Sequence, residues 1–132
     1  MNCQGLISEK VVLPSALGSQ QIARPTGLDY RPALADWLTR PDNPFFAKAM
    51  VNRVWREMLG RGLVEPVDDL RVSNPPSNPA LLDALAAGFV ENNFSLRQLI
   101  HDIASSRVYQ LSNRANGINR GDTRLFSRAY IK

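Results

Sequence analysis

The sequence predicts an all-α fold of about four helices in a small orthogonal bundle, with a coil-rich N-terminal arm and a basic C-terminal tail. Apolar residues recur at spacings of three and four along four separate segments, which is the pattern of amphipathic helices. Prolines, asparagines, a serine and a glycine stand where such helices would begin or end. The chain has 132 residues, 44% of them hydrophobic, which suits one globular domain with one core.

The first two helices are predicted at residues 32–39 and 44–59. The second is the clearest, because Asn43 can cap its start and Gly60 is suited to end it in the left-handed conformation. Its apolar arc includes Trp55, which we expect to be buried at the centre of the core. Polar residues fall largely on the other side of this helix: Lys48, Asn52, Arg53, Arg56 and Glu57.

Two further helices are predicted at residues 79–92 and 95–108. Asn78 is suited to cap the first of them. The second begins at Ser95, which heads the capping box Ser95-x-x-Gln98. Beyond this helix the chain turns polar and basic. We interpret that tail as coil, with room for a short helix near its C-terminal end, at residues 125–130.

Composition excludes several classes of site. The chain contains one cysteine, Cys3, and one histidine, His101. A single thiolate supports neither an intrachain disulfide nor a cysteine-rich zinc or iron–sulfur site, so no cofactor or metal is predicted. No apolar run is long enough to span a bilayer, and no basic region followed by a long apolar stretch indicates a signal peptide.

Positive charge is concentrated in the last third of the chain. Residues 1–92 carry nine basic and ten acidic residues, a net charge of −1, whereas residues 93–132 carry seven and two, a net charge of +5. Arginine, which dominates, offers a planar fork suited to carboxylate, phosphate or sulfate. The candidate anion-binding residues are Arg107, Arg114, Arg120, Arg124 and Arg128. Because Tyr109 and Phe126 are interleaved with them, nucleic-acid binding through the tail is an alternative.

The densest polar patch spans the end of the second helix and the turn that follows it. Its members are Asn52, Arg53, Arg61, Asp68 and Asp69. In the structural interpretation, Arg53 or Arg61 pairs with one of the aspartates and holds the irregular connection on the helix. In the catalytic alternative, the protein is a hydrolase that uses Asp68, Asp69 or His101 as acid or base.

A series of motifs occurs in a fixed order between residues 31 and 128. They are LADWLT at 34–39, DNPFFA at 42–47, VNRVW at 51–55, GRGLV at 60–64, DDL at 68–70, PSNPALL at 76–82 and SRVYQLS at 106–112. Together they resemble the planctomycete-type domain of unknown function. That domain lies near the C-terminus of large exported proteins, often behind cytochrome-c-like domains. The resemblance implies an exported or cell-envelope setting, and it supplies no catalytic residue.

The resemblance also bears on domain organisation. We expect an irregular arm or linker at residues 1–30 and a helical domain at 31–132 that is truncated at its C-terminus, because the family domain continues with further helical segments. The leading hypothesis is therefore a non-catalytic binding or packing module of a larger exported protein. Its basic tail would dock the remainder of that domain, self-associate, or bind an anionic polymer. Docking would require exposed apolar side chains in the tail: Leu125, Phe126 and Tyr130.

Overall fold

Four α-helices make up the regular structure of the part of the chain that the computed structural model describes, Ser15 and residues 29–130. They are α1 (Arg31–Leu38), α2 (Phe46–Leu59), α3 (Pro79–Glu91) and α4 (Leu96–Ser105). The predicted all-α class is thereby confirmed. Apart from Ser15, Asp29 and Tyr30, the predicted N-terminal arm lies outside the described residues. No helix in the described part has both the length and the apolar character needed to cross a bilayer.

Asn78 and Ser95 are the N-caps of α3 and α4, as predicted, whereas the N-cap of α2 is Phe45 and not the predicted Asn43. The Asn43 carboxamide oxygen accepts hydrogen bonds from the backbone N–H groups of Phe45 and Phe46, both at 2.9 Å, so Asn43 holds the first turn leading into α2. The Asn78 carboxamide accepts from the N–H of Leu81 at 3.1 Å and caps α3. Ser95 Oγ accepts from the N–H of Gln98 at 3.3 Å and caps α4. Each cap satisfies an N–H group that the helix itself leaves free.

Helix α4 differs from its prediction at both ends. The Gln98 side chain donates to Asp102 Oδ1 at 2.8 Å instead of returning to the Ser95 N–H, so only half of the predicted capping box forms. The helix ends at Ser105, three residues before the predicted position. Ser106 takes an extended conformation and its hydroxyl donates to the Ile103 carbonyl at 2.6 Å, a local bond that competes with the helical ladder.

The predicted short helix at residues 125–130 is wrong. Phe126 has a left-handed backbone with φ of 53°, which interrupts a right-handed helix. The Asp122 carboxylate accepts hydrogen bonds from the backbone N–H groups of Arg124, Leu125 and Ser127, at 2.9, 2.7 and 2.8 Å. These bonds wrap the segment around the carboxylate as a loop.

The chain divides into two compact units, Met1–Arg40 and Pro41–Lys132. The first contains α1, none of whose residues is buried, and Leu34 remains 49% exposed. In the second unit α2, α3 and α4 pack against one another around a shared hydrophobic core. Trp55 is 1% exposed, which confirms the predicted centre of the core. Its largest fully buried companions are Leu82, Ile103, Val51, Val64 and Asn52.

Candidate functional site

Helix α2 ends where the candidate site begins. Gly60 takes the left-handed conformation with φ of 80°, and its N–H donates to the Arg56 carbonyl at 2.8 Å, as the sequence predicts for a terminating glycine. The chain then runs irregularly through residues 61–78. Its first part is buried at Leu63 and Val64, which join the core cluster. Burial of these two apolar side chains therefore holds the polar residues of the connection at the end of α2.

Asn52 anchors this connection from inside the protein, although we expected it on the polar side of α2. It is fully buried, and its amide donates to the carbonyls of Val64 and Val67 at 3.0 and 2.8 Å. Its oxygen accepts from the N–H of Val64 at 3.0 Å. A buried polar group needs such partners, and here three backbone groups that no helix or strand serves are satisfied at once. Asn52 therefore has a structural role at the base of the site.

The two adjacent aspartates pair with different arginines. Asp68 Oδ1 lies 2.8 Å from Arg53 Nε, whereas Asp69 Oδ2 lies 2.9 Å from Arg71 Nη2. The Arg53–Asp68 pair is one of those that the sequence predicts, but the two side chains are 58% and 63% exposed. An exposed ion pair is screened by water, so the large penalty for breaking a buried pair does not apply to it.

The other hydrolase candidate, His101, is exposed on α4. Its Nδ1 lies 3.5 Å from Asp102 Oδ1, and its side chain is 70% exposed. Within the described residues no group of three or more histidine, cysteine or acidic side chains is placed to hold a metal ion. Asp68, Asp69 and His101 thus each have a separate local partner, and these contacts offer the catalytic alternative no supporting geometry.

The basic tail is organised by Asp122, a residue that the sequence analysis does not single out. Besides its three backbone bonds, the carboxylate accepts a short hydrogen bond from the Ser127 hydroxyl. That hydroxyl and then the N–H groups of Leu125, Ser127 and Arg124 hold the pKa of Asp122 well below its usual range. The sequence does carry a signal for this loop. Asp122 precedes Arg124 by two residues and Leu125 by three, and an aspartate that binds N–H groups at these distances forms an Asx turn.

The tail packs onto the helices through an aromatic row. Phe126 is 6% exposed, and its ring meets Trp55 edge to face at 5.4 Å and Tyr130 at 5.6 Å. The expectation that Phe126 is exposed for docking or base stacking is therefore wrong, because its left-handed backbone turns the side chain into the core. Leu125 is 79% exposed, as expected, and Tyr130 is partly buried.

Tyr130 closes the tail against the end of α2. Its hydroxyl donates to the Asp122 carbonyl at 3.0 Å. Burial, followed by the charge of Asp122, raises the pKa of this phenol. A Cβ added to Gly60 would lie 2.9 Å from the Tyr130 carbonyl oxygen, so the approach of these two backbones requires glycine.

Four arginines surround one cavity of about 460 Å³ beside this contact. Arg56 lies on the last turn of α2, Arg61 follows Gly60, and Arg120 and Arg128 come from the tail. The acidic residues of the lining are Glu65 and Asp122. Both carboxylates are already engaged, since Glu65 accepts from the Gly62 N–H at 2.7 Å and lies 3.8 Å from Arg56 Nε. Positive charge therefore exceeds negative charge around the cavity.

Arg128 is held in place by the ring beneath it. Its guanidinium carbon lies 5.0 Å from the centre of the Tyr130 ring, within cation–π distance. Its Nε is buried without a hydrogen-bond partner among the described residues.

The structure brings together some of the predicted site residues and separates others. Arg61 from the polar patch meets Arg120 and Arg128 from the tail at the cavity, and Arg124 lines an adjoining cavity of about 240 Å³ with Arg61. Arg107 and Arg114 are exposed and are not part of either lining. The candidate site residues predicted from the sequence do not include Arg56, because a helical wheel shows only that Arg56 lies on the polar face of α2. Its position in the last turn of α2, close in sequence to Arg61, is the feature of the sequence that could have indicated its place at the cavity.

Comparison with known protein families identifies the domain. A family model described as PSD1, protein of unknown function (DUF1553), matches residues 30–131, which are 102 of the 132 residues. This range includes all four helices and every arginine of the cavity. No curated protein and no solved structure matches the chain.

Proposed function

The chain belongs to the PSD1 family of unknown function (DUF1553), as its motifs predict, and we propose that it is a non-catalytic helical module that binds an anionic polymer. One observation carries the proposal, the convergence of four arginines on one cavity at the end of α2. The family resemblance supports a place for such a module in a larger exported protein. The polymer would meet the cavity with its sulfate, phosphate or carboxylate groups.

The charges and donors of the cavity suit an oxyanion. Arginine guanidinium groups present paired N–H donors that match the oxygens of these groups. The four arginines outnumber the two carboxylates, both of which are hydrogen-bonded within the protein. Two of the arginines come from the end of α2 and two from the tail. Binding at the cavity therefore depends on the folded tail, whereas attraction to a disordered basic segment does not.

Heparin titration of two single variants tests this proposal. Arg120→Gln removes a charge from the cavity lining, and Arg114→Gln removes the same charge from an exposed position of the same tail outside the lining. We expect Arg120→Gln to weaken binding about tenfold, near 1.4 kcal/mol, and Arg114→Gln to weaken it less than about threefold. Affinity should also fall steeply as salt is raised. Equal losses in the two variants would mean diffuse attraction to net charge and would overturn the cavity as the site.

A second candidate function is docking of another protein segment onto the C-terminal region. Ile118 is 97% exposed and Leu125 is 79% exposed, and such apolar side chains favour protein contacts. The partner would be the remainder of the family domain or a second copy of the chain. Sedimentation velocity over a hundredfold concentration range tests self-association. We expect Leu125→Ser to shift any dimer toward monomer, and a wild-type chain that stays monomeric throughout would remove the second copy as the partner.

A further inference from the structure

A second cavity adjoins the arginine-lined one. It has a volume of about 580 Å³ and runs along the end of α2, the segment around Ser112, and Tyr130. Gly60 and Tyr130 line both cavities, so the two meet at the close contact of these residues. This contact is the wall between them, so a ligand that occupies both cavities crosses over it.

The chemistry of the second cavity differs from that of the first. The side chains that matter here are Glu57, Met58, Tyr109, Ser112, Asn113 and Tyr130. Two aromatic rings and a methionine offer flat apolar contact, and Tyr109 is 44% exposed. The carboxylate, the hydroxyl and the amide supply acceptors and donors for neutral polar groups. The one charged side chain in this lining is Glu57, whose carboxylate lies 3.4 Å from Arg56 Nη1, so the lining offers no uncompensated positive charge to a second anionic group.

From this pairing we infer that the ligand is an anionic carbohydrate. Its oxyanion occupies the arginine-lined cavity and its sugar ring occupies the adjoining one. A sugar ring presents C–H groups on its faces, which suit the negative face of an aromatic ring, and hydroxyl groups around its rim, which suit Glu57, Ser112 and Asn113. Inorganic polyphosphate lacks the ring and its hydroxyl groups. The inference rests on the proposed function, because it names the class of ligand for the same site.

Tyr109 provides the test, because its ring belongs only to the second cavity of the two and is half exposed, so that its removal spares the core. Tyr109→Ala removes the ring, and Tyr109→Phe is the matched control that keeps it. The probes are chondroitin sulfate oligosaccharides, polyphosphate and oligothymidylate, titrated at one salt concentration. We expect chondroitin sulfate affinity to fall about fivefold or more in Tyr109→Ala and to stay within about twofold of wild type in Tyr109→Phe. Polyphosphate affinity should stay within about twofold in both variants.

The outcomes separate this inference from the proposed function. If chondroitin sulfate binds through Arg120 but is insensitive to Tyr109→Ala, the sugar-ring assignment is wrong and the anion site stands. Tighter binding of oligothymidylate than of chondroitin sulfate, with the same loss in Tyr109→Ala, would overturn the carbohydrate in favour of a nucleic acid. If none of the three polymers binds, the inference and the proposed function both fail. Thermal melts of both variants should match wild type, which ties any change in affinity to the missing ring.

Discussion

Asn52 lies on α2 with its carboxamide fully buried, and its three hydrogen bonds reach the backbone of residues 64 and 67. Helical spacing of apolar residues places it on the polar side of the helix, and this prediction was wrong. A hydropathy pattern treats every asparagine as solvent-facing, whereas a buried amide is stable when each of its groups is paired. The backbone groups that Asn52 binds belong to an irregular loop. The sequence of such a loop has no periodicity, so its path, and with it the burial of Asn52, could not be predicted.

Replacement of the Asn52 amide by a carboxylate is expected to destabilise the protein severely. In Asn52→Asp the two N–H donors to the carbonyls of Val64 and Val67 are lost, and a charge is buried beside carbonyl oxygens. We expect a loss of at least about 3 kcal/mol in the free energy of unfolding. Urea denaturation at pH 7 measures it, with Asn113→Asp, an exposed site, as the control. A loss below about 1 kcal/mol would contradict the assigned role.

The lowered pKa of Asp122 predicts that the stability of the tail loop depends on pH. The Ser127 hydroxyl and three backbone N–H groups lower the pKa of this carboxyl below its value in the unfolded chain, about 3.9. The ionised form therefore stabilises the loop above that pH, and this stability is lost as the pH falls through the lower folded-state pKa. We expect the Ser127 amide resonance to keep its native position at pH 4 and to shift only in stronger acid. A midpoint at or above 3.9 would contradict these bonds, and Asp122→Asn should abolish the transition.

At the level of elements, the predictions that succeeded rest on local chemistry. Asn78 and Ser95 cap α3 and α4, and Gly60 ends α2, because each acts on backbone groups within four residues of itself. The predictions that failed concern the end of α4 and the tail. There, hydroxyl and carboxylate groups compete for the backbone, and apolar residues at helical spacing do not reveal which interaction prevails.

Gly60 and Gly88 form a matched pair for an element-level prediction. Gly60→Ala forces a left-handed alanine and places its Cβ 2.9 Å from the Tyr130 carbonyl oxygen, so we expect a loss of about 1–2 kcal/mol or more. Gly88 lies inside α3, and an added Cβ meets nothing within 4 Å. Gly88→Ala should therefore stabilise the protein by about 0.5–1 kcal/mol. Thermal melts should show shifts of opposite sign, and a Gly60→Ala melt at or above wild type would contradict the close contact.

At the level of the whole molecule, charge and packing were predictable to different degrees. The net charge of +5 after residue 92 is visible in the sequence, and so is the abundance of arginine. Which arginines converge is not visible, because Arg120 and Arg128 reach the cavity through the Asp122 loop and Arg56 reaches it from a helix. The tail was expected to present Phe126 outward. Instead that ring completes the core against Trp55, so the site forms only when tail and helices fold together.

Phe126 therefore couples stability to binding. Its ring is 6% exposed and lies between Trp55 and Tyr130. We expect Phe126→Ala to cost about 3–5 kcal/mol, and the more conservative Phe126→Leu to cost less and leave a folded protein. Leu125→Ala, at the adjacent exposed position, should change stability by less than about 0.5 kcal/mol.

Heparin affinity measured on the same three variants tests the coupling itself, because none of them alters a charge. Phe126→Leu should weaken heparin binding in proportion to the fraction of tail released from the helices, since Arg120 and Arg128 then no longer face Arg56 and Arg61. Leu125→Ala should bind as wild type does. Near-ultraviolet circular dichroism, measured in a Trp37→Phe background so that Trp55 is the one tryptophan left, reports the release independently. If Phe126→Leu lost the tryptophan signal yet bound heparin with unchanged affinity, the arginines would be acting as a loose basic segment, and the cavity would not be their site of action.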